Sequence, residues 1–237
     1  MQKSKKKAVR KVVKSKSVRA RRLAVATVLV LRTCSANMVS HKGFRWPQKG
    51  AVKAPDWRPV AECGNGLHGL LWGEGEGAHL DYSLTAKWLV VEVPAKSIVD
   101  LKGKVKFPAG KVVYCGTRLG ATSFIAAKRP GAAICGGTAT AGDRGTATAG
   151  SYGTATAGSY GTATAGYRGT ATAGDAGTAT AGDRGTATAG SYGRLELLYW
   201  DDKASRCRKA LAYVGEGGIK PNTKYKLNGS AFVEVKP

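Results

Sequence analysis

A chain of 237 residues with 43% hydrophobic content has room for one ordinary domain beside its repeated segment, which itself supplies 14 of the 33 glycines. The net charge of +23 is uneven: residues 1–22 carry eleven basic residues and no acid, while residues 137–192 contribute nothing. Five cysteines, Cys34, Cys63, Cys115, Cys135 and Cys207, form no close pair, which argues against a disulfide framework and favours reduced thiols and a cytoplasmic setting.

The leading segment, MQKSKKKAVRKVVKSKSVRARR, reads as a disordered basic tail. Its candidates for nonspecific contact with nucleic acid or an anionic surface are Lys5, Lys6, Lys7, Arg10, Lys11, Arg19, Arg21 and Arg22, acting by counterion release. A solvated extension is the alternative. LAVATVLVL, residues 23–31, is too short to cross a membrane. An export signal is disfavoured, because the basic region is long and Arg32 interrupts the cleavage region. Short and β-branched, the segment suits a buried first strand.

Residues 23–136 read as an α+β domain. Strands are expected at 23–33, 88–93, 104–107 and 111–115, the last two forming a hairpin across Pro108-Ala109-Gly110. A helix over 119–128 is opened by Thr117 and ended by Pro130. Trp46, Trp57, Trp72 and Trp88 supply large apolar anchors. Gly64-x-Gly66-x-x-Gly69 matches the dinucleotide fingerprint formally, but no expected strand precedes it and the glycine-rich stretch after Leu70 cannot be the required helix. Cys63, His68 and His79 lack the second half of a metal site, so neither cofactor nor metal is expected. Glu74 and Glu76 read as solvated.

Arg32-Thr33-Cys34, Gly43-Phe44-Arg45-Trp46-Pro47, Cys63-x-x-Gly66-Leu67-His68 and residues 102–107 together resemble an uncharacterised bacterial and phage domain with a Cys-x-x-Gly-Leu/Phe-His signature, over residues 28–128. A fainter similarity to ADP-ribosyltransferases implies Arg32 on a diphosphate, His68 on a ribose and Glu92 stabilising an oxocarbenium-like state. The bland reading of His68 is a structural residue satisfied by a turn.

Residues 137–192 repeat one octapeptide seven times, GTATAG plus a variable pair. Thr-Ala-Thr-Ala alternates with period two, so threonines share one strand face and alanines the other. One circuit needs two strands and two corners, which gives sixteen residues per coil and a parallel β-solenoid. One ladder then carries Thr138, Thr140, Thr154, Thr156, Thr170, Thr172, Thr186 and Thr188; the opposite one carries Thr146, Thr148, Thr162, Thr164, Thr178 and Thr180. Inward threonine would bury hydroxyls at about 1 to 3 kcal/mol each when unpaired, so alanine is expected inside and threonine in water. An alanine core is thin and needs caps at both ends.

Ala149-Gly150-Ser151-Tyr152-Gly153-Thr154-Ala155-Thr156 resembles the octapeptide frame Ala-Gly-x-x-x-Thr-x-Thr of bacterial ice-nucleation proteins. The resemblance implies threonine rows that order water into an ice-like layer, self-association through a tyrosine corner, and a cell-surface or outer-membrane setting as the alternative to cytoplasm. Hydroxyls spaced about 6.7 Å along the strand and about 4.8 Å between coils form a regular grid independently of the resemblance. Here Tyr152 and Tyr167 fall at one corner and Tyr160 and Tyr192 at the other, so no continuous tyrosine ladder is expected. A rigid spacer or docking surface is the competing reading. Calcium is disfavoured, since the period is eight and only Asp143, Asp175 and Asp183 recur.

After Arg194, RLELLYWDD, ALAYVGEGGIKPNTKYKL and AFVEV read as strands joined by turns, with Leu195, Leu197, Leu198, Tyr199 and Trp200 placed to cap the last coil. The whole is expected to be mainly β: a basic tail (1–22), an α+β domain (23–136), a solenoid (137–193) and a C-terminal β cap (194–237).

Overall fold

The computed structural model describes residues 26–236. The basic tail with its nucleic-acid candidates, and the first residues of the expected leading strand, lie outside the described residues.

Strand β1 (Thr27–Cys34) is buried on both faces, with Leu29 and Leu31 in one apolar cluster and Val30 and Cys34 in another. It sits inside a sheet with β2 (Gly50–Lys53), β3 (Leu67–Leu71), β4 (Lys87–Pro94), β5 (Val99–Asp100), β6 (Val105–Phe107) and β7 (Ala109–Gly116). The seven strands run in the order β2-β7-β4-β1-β3-β6-β5, and every neighbouring pair is antiparallel. Helix α1 (Arg118–Lys128) packs Ala121 and Ile125 against Leu31, Trp88 and Val90 on one face. Its first turn is closed as expected, the Thr117 hydroxyl accepting from the Gly120 amide at 3.2 Å. Met38 and Trp46 cover the other face, with Trp57 partly buried at its edge.

The expected hairpin of residues 104–107 and 111–115 does not form. β6 pairs with β3 and β5, whereas β7 pairs with β2 and β4. Only Pro108 separates β6 from β7, yet three strands lie between them in the sheet, so the sheet curls until its two sides meet at that corner. Phe107, fully buried beside Leu67, Val91 and Val112, fills the inside of the curl. Burying that phenylalanine, one residue before a proline that cannot donate to a ladder, outweighs the local turn preference of Pro-Ala-Gly.

The seven octapeptides form β8 (Thr138–Ala141), β9 (Thr146–Ala149), β10 (Thr154–Ala157), β11 (Thr162–Ala165), β12 (Thr170–Ala173), β13 (Thr178–Ala181) and β14 (Thr186–Ala189). Strands sixteen residues apart pair parallel and in register, β8-β10-β12-β14 on one side and β9-β11-β13 on the other. This is the expected β-solenoid. Strand β15 (Arg194–Asp201) extends the second sheet parallel to β13, then β16 (Arg206–Tyr213) returns antiparallel along it. β17 (Tyr225–Asn228) closes the first sheet antiparallel to β14 and pairs with β18 (Ala231–Glu234). Leu195, Leu197, Val214 and Tyr225, all buried, continue the alanine column with larger side chains.

At the other end the chain enters the solenoid as a partial extra rung. The Gly150 amide donates to the Ile134 carbonyl at 3.1 Å and the Gly136 amide to the Ser151 carbonyl at 2.8 Å. Ile134 and Cys135 are buried in the cluster that also holds α1. Coverage is incomplete here, because Ala139 and Ala141 are only partly buried and a cleft of about 250 Å³ separates α1 from the first coil.

Candidate functional site

The solenoid faces follow from the register. Ala155, Ala163, Ala171, Ala179 and Ala187 are 0% exposed, while none of the fourteen repeat threonines is buried. The first face stacks Thr138, Thr154, Thr170 and Thr186 beside Thr140, Thr156, Thr172 and Thr188, a grid four coils deep. The second stacks Thr146, Thr162 and Thr178 beside Thr148, Thr164 and Thr180, three coils deep. Its fourth rung is charged, with Arg194 opposite Thr178 and Glu196 opposite Thr180. Glu196 accepts from Lys209 Nζ at 2.6 Å, Arg194 Nη2 at 3.0 Å and Thr180 Oγ1 at 3.2 Å. Burial alone would raise its pKa, but these partners hold the carboxylate below its usual range. Most threonine hydroxyls on both faces make no side-chain hydrogen bond and present donors and acceptors outward; Thr186 Oγ1 to Thr170 Oγ1 at 3.2 Å is an exception.

The corners explain why the frame residues are fixed. In each Gly-x-x-Gly turn the second variable residue adopts positive φ, between 52° and 58° across Arg144, Tyr152, Tyr160, Arg168, Ala176, Arg184 and Tyr192. Each first glycine from Gly150 onward lies against the coil before it: a Cβ on Gly166 would stand 2.7 Å from the Ser151 amide nitrogen. Two corner contacts were not legible as such in the sequence. Asp143 Oδ1 accepts from the Ser159 amide and Asp175 Oδ1 from the Ser191 amide, each at 2.8 Å, stapling successive coils. The available signal was the sixteen-residue spacing of Asp and Ser along one corner.

Aromatic side chains join the solenoid to the leading domain. Tyr82 stacks on Tyr152 at 4.1 Å, and Tyr152 meets Tyr167 edge-on at 5.7 Å. The row stops at Asp183-Arg184. On the opposite corner Tyr160 and Tyr192 are 67% and 88% exposed, separated by Ala176.

The leading domain brings two of its three singled-out residues together. Arg32 Nη1 donates to the His68 carbonyl at 2.6 Å, and the guanidinium lies over the Trp46 ring at 4.6 Å. His68 stands on β3. Glu92 does not join them. It pairs with Leu29 and accepts from Thr27 Oγ1 at 2.9 Å, whereas the neighbour of Arg32 on β4 is Leu89. Three residues of strand put Glu92 about 10 Å further along, so the ADP-ribosyltransferase-like constellation is not assembled. The dinucleotide fingerprint also fails, since Gly69 lies within β3 and no α-helix follows it before β4. Among the described residues no group of three metal-ligating side chains occurs, and no helix is long and apolar enough to cross a membrane.

Residues 28–127 match a domain of unknown function, DUF7666. An ice nucleation protein of Xanthomonas campestris pv. translucens is 43% identical over 116 residues, 47% of this chain and 7% of the relative. One from Pseudomonas syringae is 45% identical over 103 residues, 43% of this chain and 9% of the relative. Ice nucleation protein InaU of Pantoea ananas is 40% identical over 110 residues, 46% of this chain and 11% of the relative. These matches are longer than the octapeptide array of residues 137–192, so the similarity extends past the repeats. The chain spans about a tenth of the length of these curated relatives, 7% to 11%. No solved structure matches.

Proposed function

We propose that the threonine ladders order water into an ice-like layer, so that this chain binds ice weakly and modifies its growth. The observation that carries this reading is the in-register stacking of Thr-x-Thr pairs over an alanine core. Each strand presents two outward threonines about 6.7 Å apart, and each coil adds another pair about 4.8 Å away. The side chains are β-branched, so each hydroxyl and methyl is held in few rotamers and the lattice offered to water is regular. The repeat similarity to ice nucleation proteins supports the same reading.

Size limits the effect. Four coils give a face about 15 Å long along the stack, too small to act as an effective nucleus alone. Nucleation therefore requires assembly of several chains, for which the exposed Tyr160 and Tyr192 corner is a self-association surface. Replacing Thr154, Thr156, Thr170 and Thr172 with lysine should abolish ice shaping under the microscope while circular dichroism stays unchanged. Retained shaping by a folded variant would sink the proposal.

In this reading residues 23–136 and 194–237 act first as caps, and the cationic tail is a nonspecific anchor to nucleic acid or an anionic surface. The repeat similarity favours a cell-surface setting over the cytoplasmic one argued from the cysteines.

A further inference from the structure

Strand β1 keeps company with β4 over eight residue pairs but with β3 over only two, Val30 with Leu71 and Leu31 with Leu70. Beyond Leu31 the two strands part, and the gap opens into a cavity of about 530 Å³. Its wall carries three permanent cations, Arg32, Lys42 and Lys104, together with His68 and His79; among the described residues no carboxylate lines it, and Glu76, outside the wall, holds His79 at 3.1 Å. Cations around a partly enclosed, low-dielectric space concentrate positive potential inside it.

Two features distinguish this wall from a solvated basic patch. Arg32 Nε and His68 Nε2 are buried and have no hydrogen-bond partner among the described residues. Such atoms cost free energy unless something pairs with them. The loop that closes the cavity is also held by a cation: Lys106, fully buried, donates to the Glu62 carbonyl at 2.8 Å and the Gly64 carbonyl at 3.3 Å, without any carboxylate partner. A purely structural arginine or lysine in such a place is normally matched by an acid.

A second cavity of about 250 Å³ shares Arg32, Lys42, Gly64 and His68 with the first, and its remaining wall includes Phe44, Trp46, Pro55 and one carboxylate, Asp56, which accepts from the Gly66 amide at 3.1 Å and from Asn65 Nδ2 at 3.4 Å. A cationic compartment therefore opens directly onto an aromatic one. We propose that this notch binds a phosphate-bearing organic molecule, its phosphate among Arg32, Lys42 and Lys104 and its organic part against Phe44 and Trp46. Charge-assisted hydrogen bonds from guanidinium and ammonium groups give the anionic end its affinity, and the aromatic rings select for an organic substituent. The site is independent of the threonine faces.

The test is calorimetric titration of the full chain with inorganic phosphate, pyrophosphate and adenosine diphosphate, alongside the Lys42→Glu/Lys104→Glu double variant and Lys104→Arg. Both lysines are at least partly exposed, so the unliganded melting temperature of these variants should match the parent. The diphosphate nucleotide should bind more tightly than pyrophosphate, the double variant should lose about tenfold or more in affinity, and Lys104→Arg should retain it. Equal binding of pyrophosphate and nucleotide would overturn the organic part of the proposal. Binding that survives the charge reversal, which would place the anion on the basic tail, or no binding by any probe, would overturn the site.

Discussion

Within the repeat, single atoms decide what each position tolerates. Gly142 and Gly166 occupy the same place in their octapeptides, yet a Cβ on Gly142 would meet nothing within 4 Å, while one on Gly166 would meet the Ser151 amide nitrogen at 2.7 Å. Gly166→Ala should therefore cost about 1 to 3 kcal/mol by overpacking, and Gly142→Ala should change little, as judged by denaturant unfolding. Equal costs would show that glycine is kept for backbone freedom, not close approach. His68 offers a residue-scale test in the leading domain. Burial, then the charges of Lys104, Arg32 and Lys106, lower its pKa from 6.5 to about 4. A depressed folded-state pKa means the neutral form is preferred, so its contribution is complete above pH 6.5 and is lost as pH falls towards about 4. The stability difference between the parent and His68→Gln should shrink between pH 7.5 and pH 4.5 in urea titrations; a constant difference would contradict this. Alanine-in and threonine-out was legible in the sequence because period two and the cost of buried hydroxyls are local facts. The Asp143 and Asp175 staples were not, because each carboxylate reaches a backbone amide on the next coil, and the sixteen-residue spacing of Asp and Ser that accompanies them does not by itself specify that contact.

At the scale of elements, each strand from β9 to β14 buries only two methyl groups, and stability is concentrated where larger side chains close the stack. Leu195 and Leu197 are 0% and 1% exposed and sit over the last alanines. Leu195→Ala should cost about 2 to 5 kcal/mol, above the typical cost of a surface change, and thermal unfolding should report it. A loss below about 1 kcal/mol would mean that β16 and β17 cap the stack without the leucine column. The cap strands were legible because their apolar residues continue an established register. The hairpin expected at Pro108 was not formed, because a local turn signal carries no information about which distant strands are free to pair. Arg32 and Glu92 show the same limit: both lie on correctly expected strands, but only the antiparallel register reveals that Glu92 points its interactions to Thr27 and away from Arg32.

For the molecule as a whole, the curled sheet and the solenoid form a continuous hydrogen-bonded body through residues 134–137, with Tyr82 stacked on Tyr152 at the seam. The two threonine faces are unequal: one runs four coils, while the other stops at three against the Arg194–Glu196–Lys209 cluster. Charged groups hold water in their own hydration geometry, so the four-coil face should dominate any contact with ice. The decisive measurement is the fraction of protein taken into slowly growing ice, compared among the parent chain, a variant with Thr154, Thr156, Thr170 and Thr172 changed to lysine, and one with Thr162, Thr164, Thr178 and Thr180 changed to lysine. If the threonine grid binds ice, the parent is enriched in ice, the first variant is excluded, and the second retains a measurable part. Equal exclusion of parent and variants, or equal uptake by all three, would contradict it.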